Sequence, residues 1–246
     1  MALVGGKGRI PAVILCGGLG TRLRSVIPDQ PKCLAPVGGQ PFLEWLLTRL
    51  ERHGFKRVVL CLGYRSGQVE DFIRRRGSGE MELRWVVEAE PLGTAGAIKN
   101  AQPLLREDCF LVLNGDTILE VDYQRLIEAH CEQRALATLA LRPSGSAGRY
   151  GSVRLATDGR ITGFYEKAPE ANAAAAEEGW ISGGVYAFSQ GIFERIPPAP
   201  ASLETQVFPS LVGEGLHGVP CDGYFLDIGV PEDYARAQVE LPARFT

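Results

Sequence analysis

Between residues 11 and 141, short apolar runs alternate with amphipathic stretches, and no other feature of the chain restricts its fold as strongly. PAVILC (11–16), RVVLCLG (57–63), LRWVV (83–87), CFLVLNGD (109–116) and ALATLAL (135–141) have the length and content of buried strands. Between the first two, PFLEWLLTRLERHG (41–54) gathers Phe42, Leu43, Leu46, Leu47 and Leu50 on one helical face. Pro41 suits its first turn and Gly54 its C-terminal cap. QVEDFIRRR (68–76), TAGAIKNAQPLL (94–105) and DYQRLIEAHCEQ (122–133) supply further helices. Strands that lack polar alternation are buried on both faces. The rhythm therefore predicts an α/β fold, a Rossmann-like and mostly parallel sheet flanked by helices.

The rhythm changes after about residue 145. Asp158-Gly159 sits between two alternating runs and predicts a hairpin. EANAAAAEEG (170–179) is an Ala/Glu-rich insert, and whether the 168–179 stretch forms a lid is left open. WISGGVYAF (180–188) is again strand-like, and YFLDIGVPEDYARAQVEL (224–241) predicts a strand, a turn and a helix. With no internal repeat and no long linker, the expectation is one domain over 10–246, with a small β-rich insertion in its second half and a loose tail at 1–9.

Charge and cysteine content narrow the partners. The net charge of −3 gives no general attraction to nucleic acid, so any anion must be held by locally placed cations. No apolar run approaches the roughly 20 residues of a membrane span. Six cysteines show no zinc-ligand spacing, and several lie in apolar runs as small hydrophobes, which fits reduced thiols and a cytoplasmic protein.

The first strand ends in CGGLGTR. Gly17, Gly18 and Gly20 bring backbone N–H groups close to an anion without side chains in the way, and the start of a following helix would add its dipole. A Walker A loop is excluded because no Lys-Ser or Lys-Thr follows. A dinucleotide loop is excluded because the second strand ends without an acid. What remains is a phosphate cradle followed by Thr21, Arg22, Arg24 and Lys32, with Pro28 and Pro31 keeping the approach to the lysine irregular. Fixed cations of this kind lower the barrier to bringing a phosphate nucleophile up to a polyphosphate.

Asp116 and Asp227 each stand just past an apolar run, where two carboxylates can hold one Mg²⁺ together with phosphate oxygens. Singly, each could equally cap a turn. Glu166 can accept hydrogen bonds from sugar hydroxyls and Lys167 can hold a sugar phosphate; the alternative is an exposed ion pair. Tyr150-Gly151 and Gly183-Gly184 leave room for a flat ring, or form simple turns. The three histidines form no recognisable metal or triad pattern.

Together these residues resemble the sugar-1-phosphate nucleotidylyltransferases. The family pattern GGxGTRL…PKxLxPV corresponds to Gly17–Leu23 and Pro31–Val37. EPLGTAGA (90–97), NGD (114–116), YG, EK, SGGVY and DIGVPEDY follow in family order, from about residue 10 to 240. The resemblance implies that the anomeric phosphate of a sugar attacks the α-phosphorus of a nucleoside triphosphate and pyrophosphate leaves. It implies catalytic roles for Arg22, Lys32, Asp116 and Asp227, with Mg²⁺ on the two aspartates. Gly17, Gly18, Gly20, Thr21, Gly93, Thr94 and Gly115 would bind the nucleotide. Gly151, Glu166, Lys167, Ser182 and Gly184 would bind the sugar phosphate. Residues 10–145 would then form the nucleotide part and 146–246 the sugar part.

Within the family, RSVIPDQPKCLAPVGGQPFLEWLL and DIGVPEDY are most similar to enzymes that use GTP and D-glycero-D-manno-heptose 1-phosphate. Mannose-phosphate guanylyltransferases, and muramate- or glucose-phosphate uridylyl- or thymidylyltransferases, are the alternatives. A non-catalytic binder of nucleotide sugars and a glycosyltransferase are the readings from other classes. The intact Arg22, Lys32, Asp116 and Asp227 speak against the first of these, and the absence of a DxD motif against the second. A homo-oligomer is left open. Cys16 in place of alanine, Ser182 in place of asparagine and Val230 in place of threonine depart from the common pattern.

Overall fold

A computed structural model describes residues 10–77, 79–144, 152–165 and 179–245. Four strands form the parallel part of its main sheet: β1 (Ala12–Cys16), β4 (Arg57–Leu62), β5 (Glu82–Val87) and β6 (Cys109–Asn114). They lie in the order β6-β1-β4-β5. Between β1 and β4 come a two-strand ribbon, β2 (Pro36–Val37) with β3 (Gln40–Pro41), and helix α1 (Phe42–Arg52). Helix α2 (Ser66–Arg76) joins β4 to β5, and α3 (Gly93–Asn100) joins β5 to β6. The four strands and three helices lie where the periodicity predicts them; the β2–β3 ribbon does not figure in it.

The strands of the first half are buried on both faces for the reason their sequences give. Along β1, Ala12 and Ile14 face one core while Val13 faces the other. Along β4, Val58 and Leu60 face the first core, and Val59 and Cys61 the second. The first core is closed by apolar faces of α1, α2, α4 (Tyr123–Glu132) and α6 (Pro231–Phe245); the second is closed by α3 and by Phe193, Phe208 and Leu211. Each such side chain buried in full contributes about 1.5–3 kcal/mol. At the edge, β5 alternates Glu82 and Arg84 toward solvent, which blunts pairing with another chain.

The second half is mixed rather than parallel. Strand β7 (Thr117–Leu119) follows β6, and β8 (Ala137–Pro143) follows α4. The predicted hairpin is β9 (Ser152–Leu155) with β10 (Ile161–Tyr165), and it joins the edge of the main sheet. The link is β11 (Trp180–Ser189), antiparallel to β6, β8 and β9, with an irregularity between Ser182 and Tyr186 where its partners change. After the short α5 (Phe208–Leu211), β12 (Leu216–Pro220) lies parallel to β8, and β13 (Phe225–Asp227) pairs antiparallel with β7.

Two local expectations need correction. The helix placed at 94–105 ends at Asn100 and continues only as a 3-10 turn, Gln102–Leu104, because Pro103 has no N–H to extend the ladder. No α-helix begins after the glycine loop; a single 3-10 turn, Thr21–Leu23, stands there. A helix dipole therefore adds little, and the loop's own N–H groups must do the work. All six cysteines are free thiols. No helix among the described residues is long and apolar enough to cross a membrane.

Candidate active site

The candidate site lies at the carboxyl ends of β1 and β6, where open α/β sheets bind ligands. Two strand ends and one small ribbon build it. Gly115 donates its N–H to the Leu15 carbonyl at 3.0 Å, so the chain after β6 lies against the end of β1. A Cβ at Gly115 would sit 2.4 Å from the Leu15 oxygen, a contact no other residue type can make. One residue later comes Asp116. Strand β13 then pairs Asp227 with Thr117. The ribbon thereby places two carboxylates side by side although 110 residues of chain separate them, and Ile228 N–H closes it onto the Asp116 carbonyl at 3.0 Å.

Lys32 reaches both. It leads the 3-10 turn Lys32–Leu34, which follows Pro31 in an extended conformation. Its Nζ donates to Asp116 Oδ2 at 2.5 Å and lies 3.6 Å from Asp227 Oδ1. Asp227 Oδ1 also accepts from Gly229 N–H at 2.7 Å, and Asp116 Oδ1 from the Thr117 hydroxyl at 3.0 Å. Burial alone would raise the Asp116 pKa, but the Lys32 charge and hydrogen bond, with Thr117, hold it below the ordinary carboxylate range. Asp116 is thus ionised at neutral pH.

Above this cluster is an open cleft of about 190 Å³. Gly18, Gly20, Thr21 and Arg22 line it from the loop, and Lys32, Gly115 and Asp116 from below. Gly20 has φ +58°, which turns the loop back over Lys32. Arg22 is exposed at the mouth. Arg24 is not part of the cleft lining: its guanidinium lies 4.9 Å from the Tyr64 ring centroid and its Nε donates to the Leu19 carbonyl, so it braces the loop. Gly17 also braces it, accepting from Tyr64 N–H at 3.3 Å.

The remaining predicted residues fall elsewhere. Gly93 and Thr94 begin α3, beyond the end of β5, and the Thr94 hydroxyl is engaged with Glu204 and Leu203. Ser182 donates to the Tyr186 hydroxyl at 3.3 Å, and Gly184 lies against the Asn114 side chain, so both stand on the β11 side of the cleft. Gly151, Glu166 and Lys167 lie outside the described residues, as does the 168–178 insert.

Four residues outside the predicted set also shape the site. Cys33 and Gly229 line the cleft beside Lys32. Cys16, also in the lining, has its thiol pKa raised by the neighbouring Cys33 thiol and by burial, so it stays protonated. Glu88, at the end of β5, accepts Leu92 N–H at 3.1 Å and fills the notch between Gly17 and Gly63. Cys33 follows from its place next to Lys32, Gly229 only from the meeting of β13 with β7, and Glu88 only from the strand order β1-β4-β5.

A loop of bare N–H groups, one exposed cation at its mouth, and a lysine between two carboxylates can bind a polyphosphate and neutralise charge on it. The chain belongs to the nucleotidyl transferase family, whose pattern it matches over residues 11–244. Among its relatives is D-glycero-alpha-D-manno-heptose 1-phosphate guanylyltransferase of Aneurinibacillus thermoaerophilus, 38% identical over 94% of this chain and 97% of that one. The protein of the same description from Campylobacter jejuni is 36% identical, over 91% and 96%. The crystal structure of HddC from Yersinia pseudotuberculosis matches with a TM-score of 0.80 at 34% identity, covering 93% of this chain and 98% of that one. The same protein complexed with GMP-PN matches with a TM-score of 0.78.

Proposed function

We propose that this protein transfers a guanylyl group from GTP to D-glycero-D-manno-heptose 1-phosphate. A phosphate oxygen of the sugar phosphate forms a bond to the α-phosphorus of GTP. The bond from that phosphorus to the α–β bridging oxygen breaks, and its electron pair leaves with pyrophosphate. The observation that carries this reading is the approach of Lys32 Nζ to both Asp116 and Asp227 beneath the Gly18–Arg22 loop.

Each group then has a task. The loop N–H groups and Arg22 hold the β- and γ-phosphates. Lys32 places positive charge beside the α-phosphorus as negative charge builds there. The two carboxylates suit a hard divalent cation, which takes oxygen ligands. Asp116 and Asp227 would hold Mg²⁺, which when bound supplies neutralisation of the triphosphate.

The test is a turnover panel with Mg²⁺, each common NTP and dTTP, against heptose, mannose, glucose and N-acetylmuramate 1-phosphates, reading pyrophosphate. Release with GTP and heptose 1-phosphate is expected. Release with a different pair would keep the mechanism and overturn the substrates; no release with any pair would overturn the reading.

A further inference from the structure

The first turn of α3 is fastened to a segment far along the chain. The Thr94 hydroxyl donates to Glu204 Oε2 at 2.8 Å and accepts Leu203 N–H at 2.8 Å. The same Glu204 oxygen accepts from the Ser202 hydroxyl at 3.0 Å. Ala201 adds three backbone bonds: its carbonyl accepts from Ala95 and Gly96, and its N–H donates to the Leu92 carbonyl at 2.8 Å. Gly93, at φ +74°, lies so close that a Cβ there would be 2.4 Å from the Ala201 oxygen. Opposite this clamp, Leu92 N–H is held by Glu88.

This arrangement leaves Thr94 little freedom to offer its side chain to a ligand. Its hydroxyl proton is spent on Glu204 and one of its two lone pairs on Leu203. What the clamp does fix is the backbone of 92–94 at the end of β5. Within the network Glu204 is the acceptor common to Thr94 and Ser202, and it is half-buried, so both bonds are shielded from competing water.

We propose that Glu204 is a positioning residue for the nucleotide: it holds Thr94, and through Thr94 the Gly93–Thr94 backbone, in the geometry that receives the base. The inference rests on the proposed function and on the nucleotide-binding role that the family resemblance implies for Gly93 and Thr94. Glu204 takes no part in the phosphoryl chemistry, so its loss falls on nucleotide affinity. Glutamine keeps an amide oxygen that can accept from Thr94 and Ser202; alanine keeps none.

The experiment is steady-state kinetics on the full chain. E204A is expected to raise KM for GTP about tenfold while kcat and KM for the sugar phosphate stay within about threefold, a split that loss of uniform binding produces. E204Q is expected to restore most of the wild-type KM. T94V, which removes the other end of the bond, is expected to match E204A, and the double variant to be no worse than either single one. If E204A is insoluble, T94V carries the raised KM for GTP and E204Q the near-wild-type one. A KM for GTP unchanged in E204A, a rise shared with the sugar phosphate, or a failure of E204Q to restore affinity overturns the role of Glu204. A wild-type chain that releases no pyrophosphate overturns the functional reading instead.

Discussion

The molecule contains two polar clusters built on opposite principles. In the cleft, Lys32, Asp116 and Asp227 are charged, and Asp116 keeps a third of its side chain exposed. Behind the sheet, His130 on α4 is 2% exposed and neutral. Its Nδ1 meets the Thr138 hydroxyl at 2.9 Å and its Nε2 the Ser189 hydroxyl at 2.8 Å. Ser189 donates its proton to the Ala135 carbonyl, so Nε2 carries the histidine hydrogen and Nδ1 accepts from Thr138. Every bond of that network is internal. The comparison separates two uses of polarity. Groups that can exchange one partner for another suit chemistry, and groups whose partners are all fixed tie α4 to β8 and β11.

Four outcomes would break or sharpen this division. Lys32→Ala or Asp227→Asn should lower kcat/KM by about 10³ or more, or about 4 kcal/mol, with a melting temperature close to wild type, since neither group holds the core. Near-normal pyrophosphate release from either variant would remove that residue from the mechanism. His130→Ala should do the reverse. It leaves a buried space and takes a partner from the Thr138 and Ser189 hydroxyls, costing about 2–4 kcal/mol in urea unfolding with kcat/KM within about threefold.

The pH dependence is the third. Burial pushes the His130 pKa down to about 4, from an ordinary value near 6.5. Because the unfolded chain takes up the proton more readily, the stability from neutral His130 is whole above about pH 6.5. It is lost as pH falls toward 4, by about 3 kcal/mol at most. The difference between wild-type and His130→Asn unfolding curves across pH 4 to 7 isolates this contribution; parallel curves would refute it. The smallest effect is expected at Arg74, whose ion pairs with Glu70 and Asp71 are solvent-exposed. Arg74→Ala should change stability by under about 0.5 kcal/mol and leave turnover unaltered.

Legibility in the sequence tracked the range of the interactions involved. Strand β1, helix α1 and strand β4 were readable because their periodicity is local and long enough to count. Strand β7, three residues long, and β12 left no periodic signal, and the strand legible at YFLD gave no hint that its partner as β13 would be β7; these pairings exist because distant segments meet. The glycine loop and Arg22 were legible as a phosphate cradle, yet the helix expected after them did not form, since GTRLRSVIP has no run long enough before Pro28. That Asp116 and Asp227 adjoin could be expected only from resemblance. The Thr94–Glu204 bond spans 110 positions and no pattern within either segment announces it.

The β7–β13 ribbon also has a consequence in time. During synthesis the chain displays the glycine loop, Lys32 and Asp116 long before residue 227 leaves the ribosome. A loop closure of more than a hundred residues must then be completed before the two carboxylates meet, a late and slow event of high contact order. With Asp227 in the role proposed above, a chain that already possesses the parallel sheet is expected to stay inactive until β13 docks, and the return of pyrophosphate release during refolding would then time that docking.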